Sequence, residues 1–412
     1  MINLYIFNES SRGAVYGIGT YIRELTSALK DSDINVCIVH LRSSKQEVEM
    51  EESEGIRYLH IPSPIVHNRS LDSNRQNEIY YRNVVYLLQL NIKDRKDLVF
   101  QLNYNHSSTL VEELKKSFIC RTISVVHYSN WGFTVFDNLQ RLRSALDKEE
   151  PNTFETNLKK SVEEERKIYS KMDRVVCLTN YMQEILYQDY GIDPAKISVI
   201  PNGLTDVAKK MSDVKLLRKK WNVSHSEKII LFAGRMDEIK GLVYLIKAFR
   251  EILKIYPKCH LVFAGDGAYN IYIKESHDIC THTSYTGLLK QTDLYEWYRL
   301  ADIGVTPSLF EPFGYVTVEM MMHGLPVVAT DTSGLNEVVD DTCGLKVPLI
   351  EHPDRVEIDT TLLAQKILYL LQHSAEARKM GRNGRKRYLK EYSLKVFRKN
   401  MLEFYQSLYQ SH

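Results

Sequence analysis

Two doubly wound α/β domains are the fold class this sequence predicts, and three observations carry it. Short apolar runs alternate with amphipathic stretches along the chain. The series starts afresh near residue 228. Glycine or proline punctuates several of the apolar runs. Runs of strand length with helical stretches between them read as parallel strands covered on both faces. A length of 412 residues leaves room for two cores.

The first series opens on a strand over 2–7, from Ile2 to Phe7. A helix follows over 17–30, where Ile18, Ile22, Leu25 and Leu29 form one apolar stripe. Strands are expected at 35–41, 56–61, 97–102, 121–127, 174–179 and 197–200, and helices at 74–91, 108–117, 153–171 and 181–190. Pro201-Asn202-Gly203 is turn chemistry directly after a strand and sets the boundary. The first domain is therefore expected over 1–203 and the second over 204–392. The second series runs from Ile229–Gly234 through a helix at 241–255 to His260–Gly265, then a strand near Ser284-Tyr285 and a helix at 291–300. It ends with Ile303–Thr306, a helix at 315–324 and Pro326–Thr330. Ligands of such sheets bind beyond the carboxyl ends of the strands, so a cleft between the two domains is expected.

Composition removes several function classes. Lys+Arg is 54 against Asp+Glu 52, a net charge of +2, which argues against a nucleic-acid partner. No apolar run approaches the roughly 20 residues of a membrane span. The first residues lack the basic start of a signal peptide. The 6 Cys are scattered without a C-x-x-C pair, as in reduced thiols of a cytoplasmic protein, and Cys280-Thr281-His282 has no second pair at zinc spacing. The Glu-rich run 47–54 reads as a solvated loop. The basic segments 209–220 and 376–399 read as solvated helix faces, with docking on an anionic membrane surface as the sharper alternative.

Four constellations carry chemistry. In Pro307-Ser308-Leu309-Phe310-Glu311-Pro312-Phe313-Gly314-Tyr315-Val316-Thr317-Val318-Glu319, a strand leads through a polar loop into a helix. The first amides of a helix have no intrahelical partners and suit a phosphate, while Glu311 and Glu319 suit hydroxyls on either side of it. Two ordinary acids at a helix start are the competing reading. In Gly234-Arg235 followed by Lys240-Gly241, two cations stand after one strand, a pattern suited to a diphosphate or to a surface Lys beside a salt-bridged Arg. Tyr16-Gly17-Ile18-Gly19-Thr20-Tyr21 opens the first helix but does not extend to G-x-G-x-x-G, since position 22 is Ile, which weakens a dinucleotide oxidoreductase. His127 closes the strand Ile123–Val126. A His there faces a ligand or is loop chemistry.

In order and spacing these motifs resemble the retaining GT-B glycosyltransferases of family GT4, the glycosyl transferases group 1 type. The matching residues are Gly17 and Gly19 with Tyr21, His127, Ile200-Pro201-Asn202-Gly203, Gly234-Arg235, Lys240-Gly241, Ala264-Gly265-Asp266-Gly267, Thr286-Gly287, Glu311-x7-Glu319 and Gly324-x-Pro326-Val327-Val328-Ala329. Tyr16, Tyr128, Met320 and Ser333 depart from residues common in the family. The resemblance implies two Rossmann-like domains facing across a cleft, with a C-terminal helix at 393–412 returning to the first. It implies that Arg235 and Lys240 grip a donor diphosphate, Glu319 holds ribose hydroxyls, and Glu311 contacts the donor sugar. Phe313, Gly314, Tyr315 and Val316 would lie against sugar and phosphate by their backbone, with Gly234 and Gly265 at the neighbouring turns. Gly17 and Gly19 would approach from the other domain, Gly287 and Leu288 would meet the base, and His127 would face the transferred sugar.

The implied reaction moves a sugar, with retention, from a nucleotide diphosphate sugar to a glycan, lipid-linked or peptide acceptor. A UDP-sugar is favoured and GDP-mannose stands second. Arg235 and Lys240 would neutralise the leaving group, so neither a metal nor a cofactor is expected. Alternatives are an epimerase-like or phosphorylase-like enzyme of the same shape, or an inactive sugar-binding scaffold. Trp131-Gly132-Phe133 and Phe136 are read as lining an acceptor site or packing a lid.

Overall fold

A computed structural model of the chain describes residues 1–9, 17–63, 73–104, 108–208 and 213–409. Tyr16 and the start of the basic segment, Lys209 and Lys210, lie outside the described residues. The chain divides into two compact units. The first comprises Met1–Asn130, Ala145–Gly203 and Leu394–His412; the second comprises Trp131–Ser144 and Leu204–Ser393. The turn at 201–203 ends the first unit's middle segment, but 131–144 does not stay with the residues that flank it.

The first unit carries β1 (Ile2–Glu9), α1 (Gly17–Leu29), β2 (Ile34–Ser43), β3 (Glu49–Ser53), β4 (Ile56–Pro62), α2 (Ser73–Asn91), β5 (Leu98–Leu102), α3 (Ser108–Ser117) and β6 (Cys120–Val126). Two short helices, α4 (Asn130–Val135) and α5 (Leu139–Asp147), hold most of the segment that clusters with the second unit. The first unit resumes with α6 (Thr153–Lys171), β7 (Arg174–Cys177), α7 (Asn180–Gln188) and β8 (Ile197–Val199). Its sheet has the order β3-β4-β2-β1-β5-β6-β7-β8, parallel except for the β3–β4 pair. Leu4–Phe7 at the centre of β1 are buried, as an inner strand covered on both faces requires. At the start of α6, Asn152 and Glu155 cap each other's backbone amides.

The acidic run expected as a loop is instead the edge strand β3, with all five of its residues exposed. It pairs antiparallel with β4 across Glu49↔His60 to Ser53↔Ile56. Its Glu side chains face solvent on a strand that would otherwise invite pairing with another chain.

The second unit carries α8 (Val214–Lys220), β9 (Lys228–Ala233), α9 (Leu242–Ile255), β10 (Cys259–Ala264), α10 (Tyr269–Glu275), β11 (Thr283–Gly287), α11 (Gln291–Leu300), β12 (Ile303–Thr306), α12 (Tyr315–Met322), β13 (Val327–Thr330), α13 (Ser333–Val338) and β14 (Gly344–Val347). A small hairpin of β15 (Leu349–Glu351) and β16 (Val356–Ile358) leads into α14 (Thr360–Gln372) and α15 (Ser374–Arg387). The sheet order β11-β10-β9-β12-β13-β14 is that of the doubly wound nucleotide-binding fold. Its order reverses between β9 and β12, so the loops leaving those two strands flank the switch point.

The last helix, α16 (Leu394–Ser407), belongs to the first unit. Tyr405 donates to Gln101 Oε1 at 2.6 Å, and Arg398 donates to the carbonyls of Ala28 and Lys30. Of the basic segment 376–399, Arg385 pairs with Asp206 at 2.6 Å and Arg387 with Asp340 at 2.5 Å. Those cations are structural ties and are not free for a membrane surface. No helix among the described residues is long and apolar enough to cross a membrane.

Candidate active site

The carboxyl edge of the second sheet collects most of the singled-out residues. Arg235 and Lys240 follow β9, and Glu311 follows β12. The two loops meet at the switch point. Lys240 Nζ lies 2.5 Å from Glu311 Oε2, and both side chains are about four-fifths buried. Gly241 makes this approach possible. Its φ is +66°, and a Cβ there would stand 1.9 Å from the Pro307 carbonyl oxygen. Leu309 N–H also donates to the Ile239 carbonyl at 2.7 Å, so backbone and side chain tie the loops together.

The Glu311 loop is held from the next strand. Thr330 Oγ1 donates to the Ser308 carbonyl at 2.5 Å and Thr332 Oγ1 to that of Leu309 at 3.2 Å. Ser333 Oγ and Gly334 N–H both donate to the Glu311 carbonyl, at 2.9 and 3.0 Å. A loop with its carbonyls fixed in this way holds Glu311 in one geometry before any ligand arrives. Beyond it, Gly314 caps α12 without a side-chain hydrogen bond. The first amides of that helix, at Tyr315 and Val316, are donors without intrahelical partners. Phe313 is buried against Tyr315 and Tyr392.

Glu319 is on the second turn of α12 and 8% exposed. Its Oε2 accepts from the Tyr298 hydroxyl at 2.8 Å. Tyr298 is buried, and burial beside this carboxylate pushes its pKa well up, so it stays a donor. The aromatic content of 291–300 gave no sign of this role. The signal available was only that a buried tyrosine hydroxyl needs a partner.

Arg235 follows the same strand as Lys240, and its Nε is paired with Asp237. The turns after β9, β10 and β11 form a ladder. Gly234 N–H donates to the Ala264 carbonyl at 2.9 Å and Gly265 N–H to that of Gly287 at 3.1 Å. A Cβ on Gly265 would lie 1.8 Å from the Gly234 carbonyl oxygen, so only glycine fits this turn. Leu288 follows and is 62% exposed.

The segment 131–144 braces the same loops. Trp131 is fully buried, and the Phe133 ring packs edge-on against Phe310 with centroids 5.2 Å apart. Asp137 Oδ2, 3.2 Å from Thr332 Oγ1, shares that hydroxyl's proton with the Leu309 carbonyl, Asn138 donates to the His352 carbonyl, and Phe136 packs on the second unit's core. Trp131 and Phe136 therefore pack in the second unit.

The first unit holds the remaining residues. Gly17 and Gly19 lie in the first turn of α1. His127 follows β6, its ring 4.6 Å from that of Tyr21 on α1. His127 Nε2 is 3.2 Å from Asn103 Oδ1, and Asn103 Nδ2 donates to the Phe7 carbonyl. The Asn103 oxygen can only accept, so Nε2 carries the proton and Nδ1 is the acceptor nitrogen. Burial pushes the His127 pKa down to about 3, which keeps the ring neutral. His127 can accept from a hydroxyl but is a poor acid at neutral pH. Among the described residues no group of three or more His, Cys, Asp or Glu is arranged to hold a metal ion.

Comparison with known proteins agrees with this architecture. The family model for glycosyl transferases group 1 matches residues 213–387, and that for glycosyltransferase family 4 matches 15–206. An uncharacterized glycosyltransferase of Methanocaldococcus jannaschii is 31% identical over 176 residues, which are 40% of this chain and 44% of that protein. The chain thus spans under half the length of that curated relative. The sucrose-phosphate synthase of Thermosynechococcus elongatus has a TM-score of 0.79 at 20% identity, covering 100% of both chains. An Anabaena protein, HepE, solved in complex with UDP and glucose, has a TM-score of 0.72 at 16% identity, covering 99% of this chain and 100% of that one. With both units matched by their family models and the fold shared along the whole length, the chain belongs to the GT4-type glycosyltransferases of group 1 and has their GT-B fold.

Proposed function

We propose that the protein is a retaining glycosyltransferase that moves a sugar from a nucleotide diphosphate sugar to a hydroxyl. The observation that carries this reading is the Lys240–Glu311 pair beside the open amides of α12 and the anchored Glu319. A cation, free donors and two carboxylates within one unit suit a diphosphate with hydroxyls on both sides of it. In this reading Glu319 takes the ribose hydroxyls and Glu311 those of the sugar. Lys240, with Arg235, faces the diphosphate.

The bond from the anomeric carbon to the diphosphate oxygen breaks, and a bond to the acceptor oxygen forms on the same face. The acceptor proton passes to a phosphate oxygen, and the nucleoside diphosphate leaves. Charge growing on that leaving group is met by Lys240 and Arg235, so the proposed reaction runs without a metal. His127 Nδ1 accepts a hydrogen bond from a sugar hydroxyl, and Gly17 and Gly19 keep the start of α1 clear for the ligand. Gly287 and Leu288 are assigned to the base. A UDP-sugar is the first choice of donor, the class bound in the UDP-glucose complex of the Anabaena protein, and GDP-mannose the second. A glycan, lipid-linked sugar or peptide is the acceptor.

A thermal-shift screen of nucleoside diphosphates and their sugars tests the donor site, because a ligand of the native state raises the melting temperature. No stabilisation by any nucleotide would remove the reading. A product assay with and without acceptor separates transfer from epimerisation and phosphorolysis. The anomeric configuration of the product, read by NMR, tests retention.

A further inference from the structure

A cavity lies at the amino edge of the same sheet, opposite the candidate site. Its volume is about 370 Å³, and it opens between the starts of β9, β12 and β13, the end of α12 and the first turns of α15. Lys228, Arg299, Arg378 and Arg382 line it, with Asp302 as the acid. Asp302 is already engaged: Lys228 Nζ lies 2.7 Å from its Oδ1, and Arg218 is 3.5 Å from Oδ2. The three arginines have no carboxylate partner among the described residues. Ser374 and Ala377 also line the cavity, and α15 begins there without a side-chain cap, so its first amides add to the attraction for an anion.

The other wall is built for a hydroxyl. His323, the residue that ends α12, lines the cavity and is 9% exposed. Its Nδ1 is 2.7 Å from the Glu319 carbonyl oxygen, which can only accept, so Nδ1 carries the proton. Nε2 is then an acceptor, and it has no partner among the described residues. Burial pushes the His323 pKa down to about 4, so the ring stays neutral. A buried acceptor without a donor is rare and calls for one. Tyr298, which holds the Glu319 carboxylate, lines the same cavity, its ring 5.4 Å from that of His323.

We propose that this cavity binds a phosphorylated, hydroxyl-bearing small molecule of sugar-phosphate size, and that its occupancy is felt at Glu319. The phosphate meets Arg378, Arg382 and the start of α15, and a hydroxyl donates to His323 Nε2. The size fits: the volume lies at the small end of ligand pockets. Coupling follows from α12 itself, whose first turn lies in the candidate donor site and whose C-cap residue, His323, lies in the cavity wall. The coupling half rests on the reading of Glu319 as a nucleotide ligand; the binding half does not.

Calorimetric titration of the full chain with glucose 6-phosphate, inorganic phosphate and glucose tests the site. Saturable binding of the sugar phosphate is expected, about tenfold or more tighter than inorganic phosphate, with neutral glucose silent. The double variant Arg378→Ala/Arg382→Ala changes exposed side chains and should lose about tenfold or more in affinity, with its melting temperature kept. His323→Asn retains a donor at the δ position and should erase the preference for sugar phosphate over phosphate. No saturable binding, or binding unaffected by either variant, overturns the proposal. Sedimentation with phosphatidylglycerol vesicles that depends on Arg378 and Arg382, without a response to the soluble probe, also overturns it in favour of a lipid headgroup. UDP affinity measured with and without saturating sugar phosphate reads the coupling. An unchanged value overturns the coupling alone, and absence of UDP binding overturns the donor reading while the titration still decides the cavity.

Discussion

Lys240 Nζ and Glu311 Oε2 are 2.5 Å apart, although 71 residues separate them in the chain. The pair joins the loops that leave β9 and β12, the two strands between which the sheet order reverses. Each charge satisfies the other. A diphosphate would compete for Lys240 and release Glu311 to sugar hydroxyls.

Replacing Lys240 by Ala should lower turnover by about 10² or more if the cation stabilises the leaving group. Steady-state kinetics with a saturating donor measure this, and a near-normal rate would rule out the role. Arg235→Ala is expected to act in the same direction, with a smaller effect because Asp237 already takes part of its charge.

Glu319→Ala should weaken nucleotide binding without abolishing folding, read as a loss of thermal stabilisation by the nucleotide. Tyr298→Phe removes the donor to the same carboxylate and should raise the donor KM more than it lowers kcat. A KM that stays constant in both variants would separate Glu319 from the ribose.

Gly241→Ala forces a Cβ to within 1.9 Å of the Pro307 carbonyl oxygen at a φ of +66°. The loops must part, at a cost of ~1–3 kcal/mol. A lower melting temperature and reduced activity are expected together. Activity at the parental level would mean that the close approach is dispensable.

Burial lowers the pKa of His260 and, furthest, of three other histidines: His127 to about 3, His40 and His323 to about 4. Below about pH 6.5 the unfolded chain takes up protons at these sites that the folded chain refuses. Stability therefore falls as pH drops from about 6.5 towards 4, by about 1.4 kcal/mol per pH unit for each group. Denaturant melts at pH 7.5 and 5.5 should reveal the slope, and His127→Gln should flatten it. The neutral His127 also predicts no activity limb in the range of an ordinary histidine.

Activity should survive EDTA. Loss on chelation with recovery on adding a divalent ion would contradict charge neutralisation by Arg235 and Lys240.

The sequence showed the sheets clearly because periodicity and turn residues are local. The expected strands at 2–7 and 303–306 fall inside β1 and on β12, and the helix at 17–30 matches α1. The charged loops at 234–241 and 307–319 were legible because glycine and like charges stand at strand ends. Three features were not. The strand β3 was hidden since its five exposed residues carry no alternation. Tyr298 looked like any apolar helix residue, because its partner Glu319 is 21 residues away. The 131–144 segment was assigned by position in the chain, whereas its buried Trp131 and its Asp137–Thr332 hydrogen bond belong to the second unit.

That segment has a consequence for how the chain can be divided. A cut at residue 203 parts the peptide but not the structure, since each unit is discontinuous: three stretches form one and two form the other. Residues 204–393 made alone would lack Trp131 and leave Phe310 without the Phe133 ring that covers it. Recombination that swapped halves between relatives at this boundary would hand one half a brace evolved for a different loop. Productive exchange requires the short segment and the last helix to travel with the unit each one packs in, so the two halves are bound to change together.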